Sequence, residues 1–133
     1  MPTTTIAVRW GELDPYNHVN HATYLTYCEE ARIGVLDGIG WDMVTLERAG
    51  FRVVVVGIDV AFKGPAGPGD SLVVTTTLAD LGASASTWHQ VITRDGEVLV
   101  EATVRAACTD LDGRPVRTPQ GFRQALEPLL EPG

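Results

Sequence analysis

One stretch limits what this chain can fold into more than any other. Residues 22–37 run without proline and carry charge only at Glu29, Glu30, Arg32 and Asp37. At ~1.5 Å per residue this predicts a helix about 24 Å long. Asn20 stands where an N-cap is wanted. The segment before the helix, GELDPYNHVNH (11–21), is dense in polar and turn-forming residues and reads as a loop. So narrow a polar stripe predicts a helix buried on most sides. Gly34, mid-helix, costs up to ~1 kcal/mol against alanine, which predicts that another backbone passes close to it.

Around this helix the remaining pattern is mostly strand. Residues 4–10 alternate, with Ile6, Val8 and Trp10 on one face. A short amphipathic piece covers 41–49, and strands are then expected at 51–63, 71–79, 84–94 and 98–108. The glycine- and proline-rich GPAGPGD (64–70) can only be a loop. Asp95-Gly96 signals a two-residue type I′ hairpin turn, which sets Arg94 opposite Glu97. Thr118-Pro119 reads as the N-cap and first position of a short terminal helix, with Pro128 opposing its extension. One strand, a long helix and about four more strands make an α+β layout: a curved antiparallel sheet of about five strands wrapped around one long helix. Such a sheet keeps two edges and an outer face, so association with further copies is expected.

The composition removes several function classes. A chain of 133 residues, 44% hydrophobic and 20% charged, is one ordinary globular domain spanning 1–133. A net charge of −7, with Lys63 the sole lysine, speaks against a nucleic-acid binder. No apolar run approaches the ~18–20 residues of a membrane span, and the N-terminal residues lack a signal pattern. Cys28 and Cys108 are too few for a disulfide scaffold. These features predict a soluble, cytoplasmic protein.

Residues able to do chemistry crowd into 12–21: Glu12, Asp14, Tyr16, Asn17, His18, Asn20 and His21. That loop runs into the helix N-terminus, where free N–H groups and the dipole favour a developing oxyanion. Asp14, ahead of Pro15, also suits a plain turn opener. Asp14, His18 and His21 include ligand types found in open zinc or iron sites. An H-x-x-H pair in a loop is common by chance, however, so no metal is assigned, and nothing calls for a cofactor. Cys28 on a buried helix reads as a packing residue, Glu29 and Glu30 as a solvated face, and His89 as structural. The glycines of 64–69 lack the G-K-[ST] of a phosphate loop.

The stretch ELDPYNHVNHATYLTYCEEAR resembles the signature of hotdog-fold acyl-CoA thioesterases of the 4-hydroxybenzoyl-CoA thioesterase type. FKGPAGPGDSLVVTTTL (62–78) and DGRPVRTP (112–119) are similar to later parts of that family's pattern. The resemblance implies a hotdog fold and hydrolysis of an acyl-CoA thioester. It implies Asp14 as the catalytic carboxylate, acting as general base or nucleophile, and His21 at the helix start as oxyanion site. His18 and Asn20 would contact the substrate. Tyr24, which with Tyr27 reads as a core residue, is also a candidate to line the acyl pocket. Lys63 is the leading candidate for the coenzyme A phosphates, with Arg52, Arg94, Arg114 and Arg117 unranked behind it. A homo-oligomer, dimer or tetramer, with sites between protomers is implied as well. Leu13 and Asn17 depart from the family's usual small hydroxyl and glycine, which leaves a non-catalytic acyl-CoA binder as the rival reading.

Overall fold

The computed structural model describes residues 2–131. In chain order it has β1 (Thr3–Ala7), a 3₁₀ turn (Trp10–Glu12), α1 (His21–Gly38), α2 (Met43–Ala49), β2 (Phe51–Phe62), β3 (Ser71–Leu81), β4 (Ala85–Arg94), β5 (Glu97–Asp110), α3 (Gln120–Leu126) and a closing 3₁₀ turn (Glu127–Leu129). The strands form one antiparallel sheet in the order β1-β3-β4-β5-β2. The expected α+β layout is therefore present, with β1 and β2 as its edges.

The local signals behave as their chemistry requires. Asn20 Oδ1 accepts the Ala22 N–H at 2.9 Å and caps α1. Asp95 and Gly96 both take positive φ, 50° and 82°, as a type I′ turn demands. Arg94 lies opposite Glu97, their charges 3.5 Å apart.

Four expectations need correction. β1 stops at Ala7, and Trp10 is 86% exposed on the 3₁₀ turn. The Arg9 N–H donates to Glu12 Oε1 at 2.8 Å and the Glu12 N–H to the Arg9 carbonyl at 3.1 Å, which folds the chain away from the ladder. Helix α1 is not buried on most sides. One stripe is buried, Tyr24, Tyr27, Cys28, Ala31 and Val35, while Ala22, Thr26, Glu29, Glu30 and Gly34 are exposed or half-buried. A single sheet can cover only one side of a helix, and small residues on the other side mimic an all-round apolar pattern. No backbone crowds Gly34, where an added Cβ would meet open space. Finally, α3 starts one residue late with Pro119 as N-cap, because Thr118 is drawn inward: its N–H donates to the Ala83 carbonyl at 2.9 Å and its hydroxyl lies 3.8 Å from Cys108 Sγ.

Two apolar clusters fill the interior. One packs Tyr24, Tyr27 and Cys28 of α1 on Leu72, Val74, Ile92 and Val100. The other gathers Phe51, Trp88, Leu126 and Phe122, with Phe122 5.4 Å from the rings of both Trp41 and Phe51. Between helix and sheet, the buried amide of Gln90 donates to the Cys28 carbonyl at 2.8 Å and to Thr76 Oγ1 at 3.0 Å, tying β4 to α1.

The 64–70 loop is clipped by Asp70. Its Oδ2 accepts the Gly67 N–H at 2.8 Å and Arg94 Nη1 at 2.9 Å, and these hold its carboxyl below the usual aspartate range, the Gly67 N–H having the larger effect. Stabilisation from a depressed carboxyl is complete above the ordinary value of ~3.9 and is lost as pH falls through the lower folded value. Asp70→Asn is accordingly expected to lower the urea midpoint at pH 7, and the gap to the unaltered protein should shrink below about pH 4. A gap independent of pH would remove this account of the clip.

Candidate active site

The loop from residue 13 to residue 20 is held at both ends. The Asn20 N–H donates to the Glu12 carbonyl at 2.9 Å, and the Val19 N–H to the Ala66 carbonyl at 2.9 Å. The Glu12 carboxylate is itself fixed by the Tyr27 hydroxyl at 2.7 Å; burial first, and this bond second, push the Tyr27 pKa up. Within the loop, the Asp14 N–H donates to the His18 carbonyl at 2.7 Å and the Asn17 N–H to the Asp14 carbonyl at 2.9 Å. Asn17 sits at φ 62°, a left-handed conformation that asparagine adopts more readily than most residues.

Asp14 therefore serves the turn and remains available for chemistry. Its Oδ1 accepts the N–H groups of Tyr16 at 2.9 Å and His18 at 3.2 Å, an Asx turn. Its Oδ2 has no donor among the described residues. One carboxylate oxygen orients the group, and the residue borders a cavity of about 470 Å³.

The helix N-terminus closes the other side of that cavity. Asn20 takes the Ala22 N–H with its side chain and the Thr23 N–H with its carbonyl. The His21 N–H is left without a protein acceptor among the described residues, at the positive end of α1. The His21 ring packs edge-on against Phe62 with centroids 4.7 Å apart.

Asp14, His18, His21, Tyr24 and Lys63 all line this cavity. Asn20 does not; its side chain is occupied in capping the helix. Tyr24 is 2% exposed, and its hydroxyl oxygen accepts the Ala66 N–H at 2.9 Å; burial, ahead of all other causes, raises its pKa. Lys63 Nζ is paired with Glu101 Oε2 at 3.3 Å, both groups about half exposed. Two of the alternative phosphate cations are also engaged, Arg52 by Glu47 and Arg94 by Asp70 and Glu97. Tyr16, Val19, Phe62, Gly64 and Pro65 complete the walls, and the last three open the 62–78 stretch that is similar to the family's pattern. A local signal for those three is the junction at Lys63, where a long strand runs into a glycine-proline loop. Among the described residues, no three histidine, cysteine, aspartate or glutamate side chains are gathered so as to hold a metal ion. Likewise, no helix among them is long and apolar enough to cross a membrane.

The sequence model of the thioesterase-like superfamily matches residues 8–126. The chain belongs to this superfamily. The long-chain acyl-CoA thioesterase FadM of Escherichia coli (strain K12) is 34% identical over 132 residues, covering 96% of this chain and 98% of that protein. A crystallised hypothetical protein from Thermus thermophilus superposes with a TM-score of 0.92 at 32% identity, covering 97% of this chain and 99% of that one. A thioesterase from the same organism, solved in complex with coenzyme A and zinc, gives 0.83 at 30% identity, covering 96% and 92%. The five-stranded sheet and long helix are thus the hotdog fold of a thioesterase-like protein, as the motif in residues 12–32 leads one to expect.

Proposed function

We propose that this protein hydrolyses acyl-CoA thioesters, with Asp14 as the catalytic carboxylate and the His21 N–H as oxyanion donor. The observation that carries this reading is their convergence: a carboxylate oxygen without a donor and a helix N-terminal N–H without an acceptor belong to residues that border one cavity. In the general-base form, Asp14 Oδ2 takes a proton from water as the water oxygen adds to the thioester carbonyl. The carbonyl oxygen gains negative charge beside the His21 N–H. The carbon–sulfur bond then breaks, releasing the acid and the thiolate of coenzyme A, which takes up the proton. A thiol of pKa near ~8.5 leaves with little acid assistance. In the nucleophilic form, an Asp14 carboxylate oxygen adds to the carbonyl and the carbon–sulfur bond breaks to expel the coenzyme A thiolate. Water then hydrolyses the resulting mixed anhydride to the acid and the free Asp14 carboxylate.

The other cavity residues fit supporting roles. His18 and Tyr24 would contact the substrate and Lys63 a coenzyme A phosphate, which requires Lys63 to exchange Glu101 for the ligand. Asn20 contributes through the cap on Ala22, which fixes the start of the helix at His21. We read residues 1–133 as one domain working in the cytoplasm, where free thiols such as those of Cys28 and Cys108 persist. Thiol release measured on short-chain, long-chain and aromatic acyl-CoA esters tests the activity. Turnover of at least one ester is expected; tight binding of all with turnover of none would leave an acyl-CoA binding protein.

The same reading includes a homo-oligomer, a dimer or a dimer of dimers. Edge strand β1 has 5 residues, but β2 has 12, and Val55, Val56, Ile58 and Phe62 on it are 39–62% exposed. A long apolar edge invites pairing, and a second copy of β2 supplies a self-complementary partner about a two-fold axis. Phe62, a wall of the Asp14 cavity, would then lie close to that junction. Val56→Lys is expected to convert the oligomer to monomers in sedimentation velocity. A monomeric unaltered protein would overturn the assembly.

A further inference from the structure

A second cavity, of about 490 Å³, opens between α1, α2 and β2 with walls that include Ile33, Leu36, Met43, Val53 and Trp88. Into this apolar space is set one half-buried cation, Arg32. Its single hydrogen bond runs from Nη1 to Gln90 Oε1 at 2.7 Å, and no carboxylate lies within ion-pairing distance among the described residues. Glu29, which also borders the cavity, is exposed and forms no ion pair with it, and Cys28 on the same helix is a buried thiol. A guanidinium has five N–H donors, so four are left without a protein acceptor. Burial lowers the Arg32 pKa, as desolvation of a cation must.

The two cavities lie along one line of the fold. Phe62 and Lys63 at the end of β2 border the Asp14 cavity, whereas Val53, Val54 and Val55 border the Arg32 cavity. Between them, Ile58 and Val60 pair with Val104 and Ala102 of β5, and Ile58 remains 39% exposed. Helix α1 runs alongside, with His21 and Tyr24 at the first cavity and Arg32 and Leu36 at the second. From His21 to Arg32 the helix rises ~16 Å at ~1.5 Å per residue. An extended hydrocarbon with ordinary bond lengths and angles advances ~1.25 Å per carbon, so roughly a dozen carbons span that distance.

We propose that Arg32 is a specificity-determining residue that reads a hydrogen-bond-accepting oxygen at the far end of an acyl group laid between α1 and β2. This rests on the thioesterase reading above. A chain ending in a methyl group would strip solvent from guanidinium donors that have no protein acceptor and give them nothing in return, which is costly. A hydroxyl or carboxylate at that end satisfies them, and a carboxylate also brings an opposite charge into direct contact, which Glu29 on the same helix does not. Gln90, anchored to Thr76 and the Cys28 carbonyl, holds the guanidinium at the cavity wall.

The test compares dodecanoyl-CoA with ω-hydroxydodecanoyl-CoA and the ω-carboxy analogue. The unaltered protein should favour the oxygenated esters by about tenfold or more in kcat/KM, expressed mainly in KM, because a site built for a polar group rejects the analogue lacking it. Arg32→Met should bring the ratio close to one, and Arg32→Lys should retain part of it. A ratio near one in the unaltered protein, or one unchanged in Arg32→Met, overturns the proposal. Calorimetric binding of the same esters reads the preference without turnover and in the unaltered protein alone. Failure of hydrolysis would thus count against the thioesterase reading, whereas equal binding of the esters would count against Arg32.

Discussion

Replacing Asp14 with asparagine is expected to lower kcat for thioester hydrolysis by ~10²–10⁴, the usual contribution of a positioned base. The geometry makes this substitution informative. The asparagine carbonyl oxygen can keep the place of Oδ1 and still accept the Tyr16 and His18 N–H groups, so the turn that shapes the loop survives. What changes is the other oxygen, which becomes an NH₂ group able neither to take a proton from water nor to attack a carbonyl. The melting temperature should therefore stay close to that of the unaltered protein while thiol release collapses. An Asn variant with undiminished turnover would take Asp14 out of the mechanism and leave the turn as its role.

The largest stability effect is expected at Phe122. This residue is 2% exposed, and its ring meets Trp41 and Phe51 at 5.4 Å, closing the cluster between α2, β2 and α3. Phe122→Ala removes that ring from a packed site and should cost ~3–5 kcal/mol. For a domain of this size, that corresponds to a fall of about 10–20 °C in melting temperature. Thermal unfolding by circular dichroism measures it. A shift of only a degree or two would mean that α3 docks far more loosely than its burial indicates. Because Phe122 also borders the Arg32 cavity, the folded fraction of this variant should show weaker acyl-CoA binding.

Much of the fold is readable from the chain because its signals are local. The Asn20 cap, the Asp95-Gly96 turn and the alternation along 98–108 each depend on a few neighbouring residues, and all appear in the structure. Trp10 departs from expectation for the complementary reason. Alternation puts it on a strand, but the bond from the Arg9 N–H to Glu12 bends the chain there. The pattern overstates the burial of α1 because residues such as Ala22, Thr26 and Gly34 score as non-polar or small yet lie off its buried stripe. Asn20 carries two signals, a motif position that points to the substrate and an N-cap, and its side-chain oxygen takes the second role.

The order of elements, the loop that holds the reactive groups and the family to which the chain belongs all follow from short-range pattern and motif spacing, so the amino-acid order suffices for them. Which of the reactive groups converge is a matter of tertiary structure. The hydroxyl of Tyr24 meets Ala66 across 42 residues, and Arg32 meets Gln90 across 58. Such pairings follow from strand order and register, which bring distant segments together and leave no periodicity within either segment. For the same reason, the fold is needed to see that Asp14 keeps one carboxylate oxygen for its turn and leaves the other without a donor, beside a cavity bordered by Phe62 and Pro65.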